Sequence, residues 1–136
     1  MSLDGHCLCG LVQYRVAGTP RTILNCHCDF CRRMSGALLS TYVVVLDKEL
    51  AVTQGAGQLR SYAATVNATR HFCATCSTPL FNRNVLYPGL AMLYLGSLDD
   101  GAALEPTLDI HRENRLAWID SVSERVHYER EYVRTP

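Results

Sequence analysis

The residues with the clearest chemistry are three cysteines in one short run, Cys26, Cys28 and Cys31. Thiols at this spacing can all reach one metal ion without help from the rest of the fold. The run contains no fourth cysteine. Zinc completed by a fourth protein ligand is structural, whereas three protein ligands plus an exchangeable position are typical of a reactive site. The fourth ligand is a histidine, a carboxylate, water or a substrate. Its identity decides whether the site is structural or reactive.

The other four cysteines form two chelating pairs, Cys7-x-Cys9 and Cys73-x-x-Cys76. Two thiols separated by one or two residues bind one ion readily but make poor disulfide partners for each other. Two such pairs far apart in sequence are typical of a structural zinc ribbon or clip. An odd total of seven cysteines also argues against a disulfide framework. We therefore predict a four-cysteine cluster (Cys7, Cys9, Cys73 and Cys76) and a three-cysteine cluster (Cys26, Cys28 and Cys31).

Three histidines lie near these cysteines: His6, His27 and His71. For each of them, an exposed or supporting position is favoured over direct metal ligation. His27 alternates with Cys26 and Cys28, so in an extended segment it points away from the metal that they share.

Charged residues follow the cysteine run at Asp29, Arg32 and Arg33. Asp29 is predicted to cap the turn that carries Cys31. The two arginines are either plain surface charge or partners for an anion. That anion is the metal centre itself, with a net charge of about −1 for Zn²⁺ and three thiolates, or a substrate carboxylate.

The composition limits the function classes. The chain has 136 residues, of which 48% are hydrophobic, so disorder is excluded. It has 13 basic and 13 acidic residues, a balance that argues against a nucleic-acid surface. No stretch is long enough to span a membrane, and the first residues do not form a signal peptide. We expect a cytoplasmic protein, in which reduced thiols bind metal, built as a single domain over residues 1–136. Its core would cover about residues 5–122 and its tail about residues 123–136.

The pattern of apolar residues predicts a mainly β protein with its cysteines on loops. Alternation and β-branched residues predict strands at 11–16, 22–24, 38–46, 50–53, 59–62, 90–95 and 108–111. Gly36 is predicted to end a single helical turn after the cysteine run. Residues 117–122, which include Trp118, are expected to form a loop or helical turn. The segment 125–136 is expected to be ordered only in part.

A family resemblance covers nearly the whole chain. The residues that carry it are Gly5-x-Cys7-x-Cys9-Gly10-x-Val12-x-Tyr14, Cys26-His27-Cys28-x-x-Cys31-Arg32-Arg33-x-x-Gly36-Ala37, Leu59-x-x-Tyr62, Arg70-x-Phe72-Cys73-x-x-Cys76, Pro79-Leu80-Phe81, Gly96-x-Leu98-Asp99, Arg115 and Trp118. This pattern resembles the glutathione-dependent formaldehyde-activating enzyme family, which also includes the centromere protein V group.

The resemblance implies a small, single-domain, Mss4-like (β-tent) zinc-binding fold with two zinc ions. The four-cysteine cluster would hold the structural zinc and the three-cysteine cluster the catalytic zinc. The implied activity is that of a carbon–sulfur lyase, which joins glutathione, as co-substrate, to formaldehyde to give S-(hydroxymethyl)glutathione. Another small aldehyde or glutathione conjugate is an alternative substrate.

An open position on a three-thiolate zinc suits a substrate thiol, which would bind as the thiolate and present its sulfur to an aldehyde carbon. Arg32, Arg33 and Arg70 are the candidates for binding the glutathione carboxylates. Three thiolates make zinc a weak Lewis acid, which counts against hydrolysis by zinc-bound hydroxide. The non-enzymatic alternative is a zinc-dependent thiol-binding or scaffold module without turnover.

Two positions depart from the family pattern. Ser77 stands where glycine usually follows the second chelating pair, and Asp109 stands where relatives commonly carry histidine. A histidine, His111, occurs two residues later. The first departure concerns a turn, whereas the second concerns the substrate assignment.

Overall fold

The computed structural model describes residues 2–131 and is mainly β, as predicted. Its strands are β1 (Ser2–His6), β2 (Gln13–Ala17), β3 (Thr22–Cys26), β4 (Ser40–Leu46), β5 (Leu50–Gln54), β6 (Leu59–Ala63), β7 (Ala68–Cys73), β8 (Pro79–Asn84), β9 (Leu90–Tyr94) and β10 (Leu108–Ile110). One α-helix, α1 (Asp29–Ser35), occurs in this described part of the chain.

The strands form two sheets that share one apolar core. Strands β1, β2 and β5 make a small sheet, and the other seven strands make a second sheet in the order β10-β3-β4-β9-β8-β7-β6. Neighbouring strands are antiparallel except β10, which runs parallel to β3. Alternate side chains face inward, so that Tyr14 and Val16 of β2 pack with Val43 and Val45 of β4. The core therefore joins the two sheets directly.

The strands predicted from β-branched and alternating residues are all present, with ends shifted by one or two residues. Strands β7 and β8 were not predicted from the sequence, and neither was β1. Its inward-facing positions are Leu3 and Gly5, and glycine contributes no apolar signal. A side chain at Gly5 would collide with Tyr14, because a Cβ atom there would lie 2.3 Å from the tyrosine ring. The close approach of β2 thus requires glycine at position 5. The same glycine removes the apolar signal by which β1 could have been predicted.

Helix α1 is longer than the predicted single turn, and its first residue is not its cap. The Sγ atom of Cys28 accepts a hydrogen bond from the Cys31 backbone N–H and caps the helix. The predicted cap at Asp29 is therefore wrong, because Asp29 occupies the first helical position, where its carboxylate pairs with Arg32. Gly36 ends the helix as predicted, in the left-handed conformation with φ of 70°.

The C-terminal segment contains short turns rather than strands. Trp118 precedes a 3-10 turn at Ile119–Glu124, which is one of the two forms expected there. Residues 125–131 contain no strand or helix, and the remainder of the predicted tail, 132–136, lies outside the described residues. Among residues 2–131, no helix is long and apolar enough to cross a membrane.

Candidate metal centres

Two hairpins bring the four-cysteine cluster together. Cys7 follows β1 directly, and Cys9 lies in a turn that Gly10 closes with its N–H on the Cys7 carbonyl at 2.9 Å. Gly10 has φ of 78°, a conformation that glycine adopts without strain. Cys73 is the last residue of β7, and Cys76 lies in the turn before β8. Residues far apart in sequence thus meet at one end of the fold.

The sulfur positions in this cluster fit a tetrahedral zinc ion. All four Sγ atoms lie within 4.8 Å of one another. The Cys7–Cys9 and Cys9–Cys73 sulfur separations are 3.5 and 3.8 Å. A tetrahedron with zinc–sulfur bonds of about 2.3 Å has sulfur–sulfur edges of about 3.8 Å. Four sulfurs at this separation complete the coordination of one ion and leave no open position.

Thr78 connects the two hairpins of this cluster and was not among the predicted site residues. Its hydroxyl oxygen accepts the Leu8 backbone N–H at 3.0 Å and lies 3.1 Å from the Cys76 Sγ atom. The hydrogen bond to Thr78 holds the pKa of Cys76 at about 5. This hydrogen bond favours the thiolate form of Cys76, which is the form that binds zinc. A hydroxyl two residues after a chelating pair is the signal that could have identified Thr78.

The three-cysteine cluster comes from a single stretch of chain. Cys26 ends β3, Cys28 caps α1 and Cys31 lies in its first turn. Their Sγ atoms also lie within 4.8 Å of one another, and Cys26 and Cys28 are separated by 3.5 Å. Among residues 2–131, no fourth histidine, cysteine or carboxylate joins this group. The donor set fits zinc with one position left for an external ligand.

Hydrogen bonds hold both the backbone carbonyl and the side chain of Cys31. The hydroxyls of Ser35 and Ser40 donate to its carbonyl at 2.8 and 3.0 Å. The Tyr42 hydroxyl donates to its Sγ atom at 3.3 Å. In the same cluster, a hydrogen bond from the Cys31 thiol holds the pKa of Cys26 at about 5. The contacts within this cluster thus favour the thiolate form of Cys26.

The three nearby histidines bind other partners instead of joining either group of cysteines. His27 is 2% exposed, and its Nε2 atom lies 2.7 Å from Asp109 Oδ1. His6 pairs with Asp99, and His71 stacks on the Phe81 ring. These positions agree with the prediction that the histidines near the cysteines occupy exposed or supporting positions.

Asp109, one of the two departures from the family pattern, is the partner of His27. Strand β10 runs beside β3 and places Ile110 opposite Cys26 and Asp109 opposite Asn25. The hydrogen bond to His27 holds the pKa of Asp109 below its ordinary range. Asp109 therefore holds β10 against the segment that carries the three-cysteine cluster.

Arg32 is bound to its own chain. Its Nη1 atom donates to the carbonyls of His27 and Asn114 at 2.6 and 2.7 Å, and its other terminal nitrogen pairs with Asp29. These bonds connect the cysteine run to the segment that follows β10. Arg32 is therefore a bridge between two loops rather than plain surface charge.

The other two arginines predicted to bind substrate carboxylates make fewer contacts with the protein. Arg33 is exposed and has no hydrogen bond or ion pair described within residues 2–131. Arg70, on β7, places its guanidinium 5.4 Å from the centre of the Phe72 ring. Its Nε atom is buried and has no hydrogen-bond partner. A buried donor without a partner can donate to a ligand oxygen at no further desolvation cost for the donor.

A cavity of about 350 Å³ lies between the end of α1 and the strands β8 and β9. Its walls include Ser35, Ser40, Thr78, Pro79 and Tyr94. Ser40 is bonded to Cys31, and Thr78 is bonded to Cys76. The cavity therefore lies beside residues that support both cysteine clusters, and its volume is within the range of small-ligand sites.

The model of one protein family matches residues 2–114, which is most of the chain. That family is described as glutathione-dependent formaldehyde-activating enzyme. The chain belongs to this family. The region of this chain that matches the formaldehyde-activating family contains all seven cysteines, together with Tyr42, Thr78 and Asp109.

A curated relative from Halomonas elongata is named a putative glutathione-dependent formaldehyde-activating enzyme. It is 28% identical over 129 residues, which cover 88% of this chain and 81% of the relative. The fold is similar to the crystal structure of a Rhodobacter sphaeroides protein, with a TM-score of 0.61 and 23% identity. That likeness covers 78% of this chain and 98% of the other, and it supports the fold alone.

Proposed function

We propose that this family member holds two zinc ions with different roles and acts as a glutathione-linked carbon–sulfur lyase. The four-cysteine cluster holds a structural ion, and the three-cysteine cluster holds the ion that receives substrate. The single observation that carries the proposal is the count of sulfurs, four against three, at otherwise similar separations.

Zinc at the three-cysteine cluster would supply a fourth coordination position and lower the pKa of a thiol bound there. Cys26, Cys28 and Cys31 hold the ion, and helix α1 fixes the relative positions of the last two. The reaction joins the sulfur of glutathione to the carbon of formaldehyde. The carbonyl π electrons move to oxygen, which takes up the proton lost by the thiol. S-(hydroxymethyl)glutathione is the product, and reversal breaks the same carbon–sulfur bond.

The chain's own groups would orient the tripeptide beside the metal. The cavity lined by Ser40 and Tyr94 has room for a small ligand. Arg33 and Arg70 have donors that the fold leaves uncommitted, and we assign them to the glutathione carboxylates. Arg32, the third predicted arginine, is assigned to holding the cysteine run in place. Orientation of this kind is one way in which a protein accelerates a condensation that also occurs in water.

The test is the rate of exchange between glutathione, formaldehyde and their adduct at equilibrium. It is measured by NMR with labelled formaldehyde, with and without protein, because an end-point assay would be dominated by the uncatalysed reaction. Cys28→Ser is the control variant, since it removes one of the three thiols. We expect the wild-type protein alone to accelerate exchange. Equal rates for wild type and Cys28→Ser at stoichiometric protein would refute turnover of formaldehyde and favour a thiol-binding module.

A further inference from the structure

A buried polar chain connects Cys31 to the interior of the larger sheet. The Tyr42 hydroxyl on β4 lies 3.3 Å from the Cys31 Sγ atom. On β8, the Asn82 Nδ2 atom lies 3.3 Å from the Tyr42 hydroxyl and 3.0 Å from the Tyr94 hydroxyl. Tyr42, Asn82 and Tyr94 are each only 6% exposed. Water therefore does not compete for these bonds, and loss of any one partner would leave a buried polar group without its hydrogen bond.

The chemistry of the amide sets the direction of this chain. An amide nitrogen only donates, so Asn82 supplies one hydrogen to each tyrosine oxygen. The oxygen of Tyr42 is then an acceptor towards Asn82, and its own proton is left for Cys31. The sheet thus holds an O–H group aimed at one particular sulfur. The tilted packing of the Tyr42 and Tyr94 rings, with centres 5.1 Å apart, fixes this arrangement further.

Within residues 2–131, the sulfurs of the four-cysteine cluster have no side-chain hydroxyl partner from outside the turns that carry the cysteines. Their described hydrogen bonds come from the backbone N–H groups of Val12 and Thr75 and from the Thr78 hydroxyl. These bonds belong to the turns that build the cluster. Tyr42 instead comes from a different element than the cysteine it contacts, and its hydroxyl is not needed to form α1 or its cap. Its contact with Cys31 therefore requires an explanation other than turn formation.

We propose that Tyr42 is a positioning residue that tunes the three-cysteine site through Cys31. A hydrogen bond to a ligand thiolate reduces the charge that the sulfur gives to the metal. With three thiolates the centre has a net charge of about −1, and a fourth thiolate would raise it to about −2. The Tyr42 proton offsets part of that charge and favours binding of the external thiol. This inference deepens the proposed function, because it takes the three-cysteine cluster as the thiol-binding site.

The variant that tests the proposal is Tyr42→Phe, which removes only the hydroxyl. Its matched control is Tyr14→Phe, which removes an equally buried hydroxyl that bonds Ser97 and no cysteine. Both proteins are loaded with cobalt, and the sulfur-to-cobalt charge-transfer band is recorded. Cysteamine is then titrated as the external thiol, because it lacks the carboxylates that arginines would bind.

We expect the band to move to longer wavelength in Tyr42→Phe, because its Cys31 sulfur donates more charge. Cysteamine affinity should fall by about 10-fold or more, the usual cost of losing a partner of a metal ligand. Tyr14→Phe should match the wild type in both readouts. Unchanged bands, or equal changes in the two variants, would overturn the proposal.

A second variant covers the case in which Tyr42→Phe does not fold. Asn82→Leu leaves the hydroxyl in place but removes the group that directs its proton, so a smaller shift in the same direction is expected. A band at the wild-type position would again overturn the proposal. Neither readout depends on turnover. If the wild-type protein does not accelerate formaldehyde exchange, but the charge-transfer band still differs between wild type and Tyr42→Phe, the proposed function is refuted. The role of Tyr42 at the three-cysteine cluster would then still be supported.

Discussion

The two cysteine clusters have similar sulfur separations but are built in different ways. The four-cysteine cluster joins two hairpins that are distant in sequence, whereas the three-cysteine cluster lies within one β3–α1 stretch. The first has four sulfurs, and the second has three among residues 2–131. Under the proposed function, the cysteines that join distant segments serve the fold and the local cysteine run serves the reaction.

The largest expected difference is in folding. Cys76→Ser should unfold the domain, because it removes a ligand that joins two hairpins. A structural zinc site contributes about 10–16 kcal/mol in zinc-finger peptides, which matches the whole stability of a typical domain. Cys28→Ser should leave the protein folded with one ion. Circular dichroism and elemental analysis of both purified variants provide the measurement. Equal loss of fold from both changes would remove the distinction between the clusters.

The next effect separates two adjacent arginines beside the three-cysteine cluster. Arg32→Gln should lower the free energy of unfolding by about 1–3 kcal/mol, because it breaks hydrogen bonds made by a charged, mostly buried group. Arg33→Gln should change it by no more than about 0.5 kcal/mol, as is usual for surface positions. Urea denaturation of the two variants measures both values.

The Arg33 variant also tests recognition of the substrate carboxylates. Arg33→Gln should weaken glutathione binding by about 1.5–3 kcal/mol, the value of a hydrogen bond to a charged group. Binding of cysteamine, which has no carboxylate, should not change. Isothermal titration calorimetry with both thiols is the measurement. Equal losses for the two thiols would argue against carboxylate recognition by Arg33.

The smallest expected effect is at the turn that carries Cys76. Ser77 has φ of 63°, a left-handed conformation that glycine adopts without strain. Ser77→Gly should therefore stabilise the zinc-loaded protein by about 1 kcal/mol. Ser77→Ala, which keeps the strain, is the control and should bring no gain. Urea denaturation at fixed zinc concentration checks both values, and a loss of stability in the glycine variant would contradict this account of the turn.

The sequence predicts the elements whose evidence is local. Strand β4 follows from its β-branched residues, and the cysteine groups follow from their spacing. The local pattern missed strand β1 and placed the helix cap wrongly, each for a physical reason. Strand β1 carries a glycine where the core would show an apolar residue, and the helix cap is the Cys28 sulfur rather than the carboxylate of Asp29. Cysteine is not among the residues that usually cap a helix, so the Cys28 thiol gives no ordinary capping signature.

Contacts between distant residues are the part that the sequence does not reveal. Asp109 lies 82 positions from His27, and Asn82 lies 40 positions from Tyr42. Each of these residues is common in surface or strand positions, and only the register of β10, β3, β4 and β8 makes them partners. The support of the three-cysteine cluster therefore depends on the three-dimensional fold, whereas the grouping of its cysteines can be predicted from spacing alone.

The central claim is that only the three-cysteine cluster accepts an external thiol. Cadmium-113 NMR of the protein loaded with two cadmium ions tests it directly, because each ion gives its own resonance and responds to the number of sulfurs bound. We expect addition of glutathione to move one resonance towards the position of the four-sulfur site and leave the other unchanged. The moving resonance should be absent in Cys28→Ser. Two stationary resonances, or movement of both, would contradict the claim.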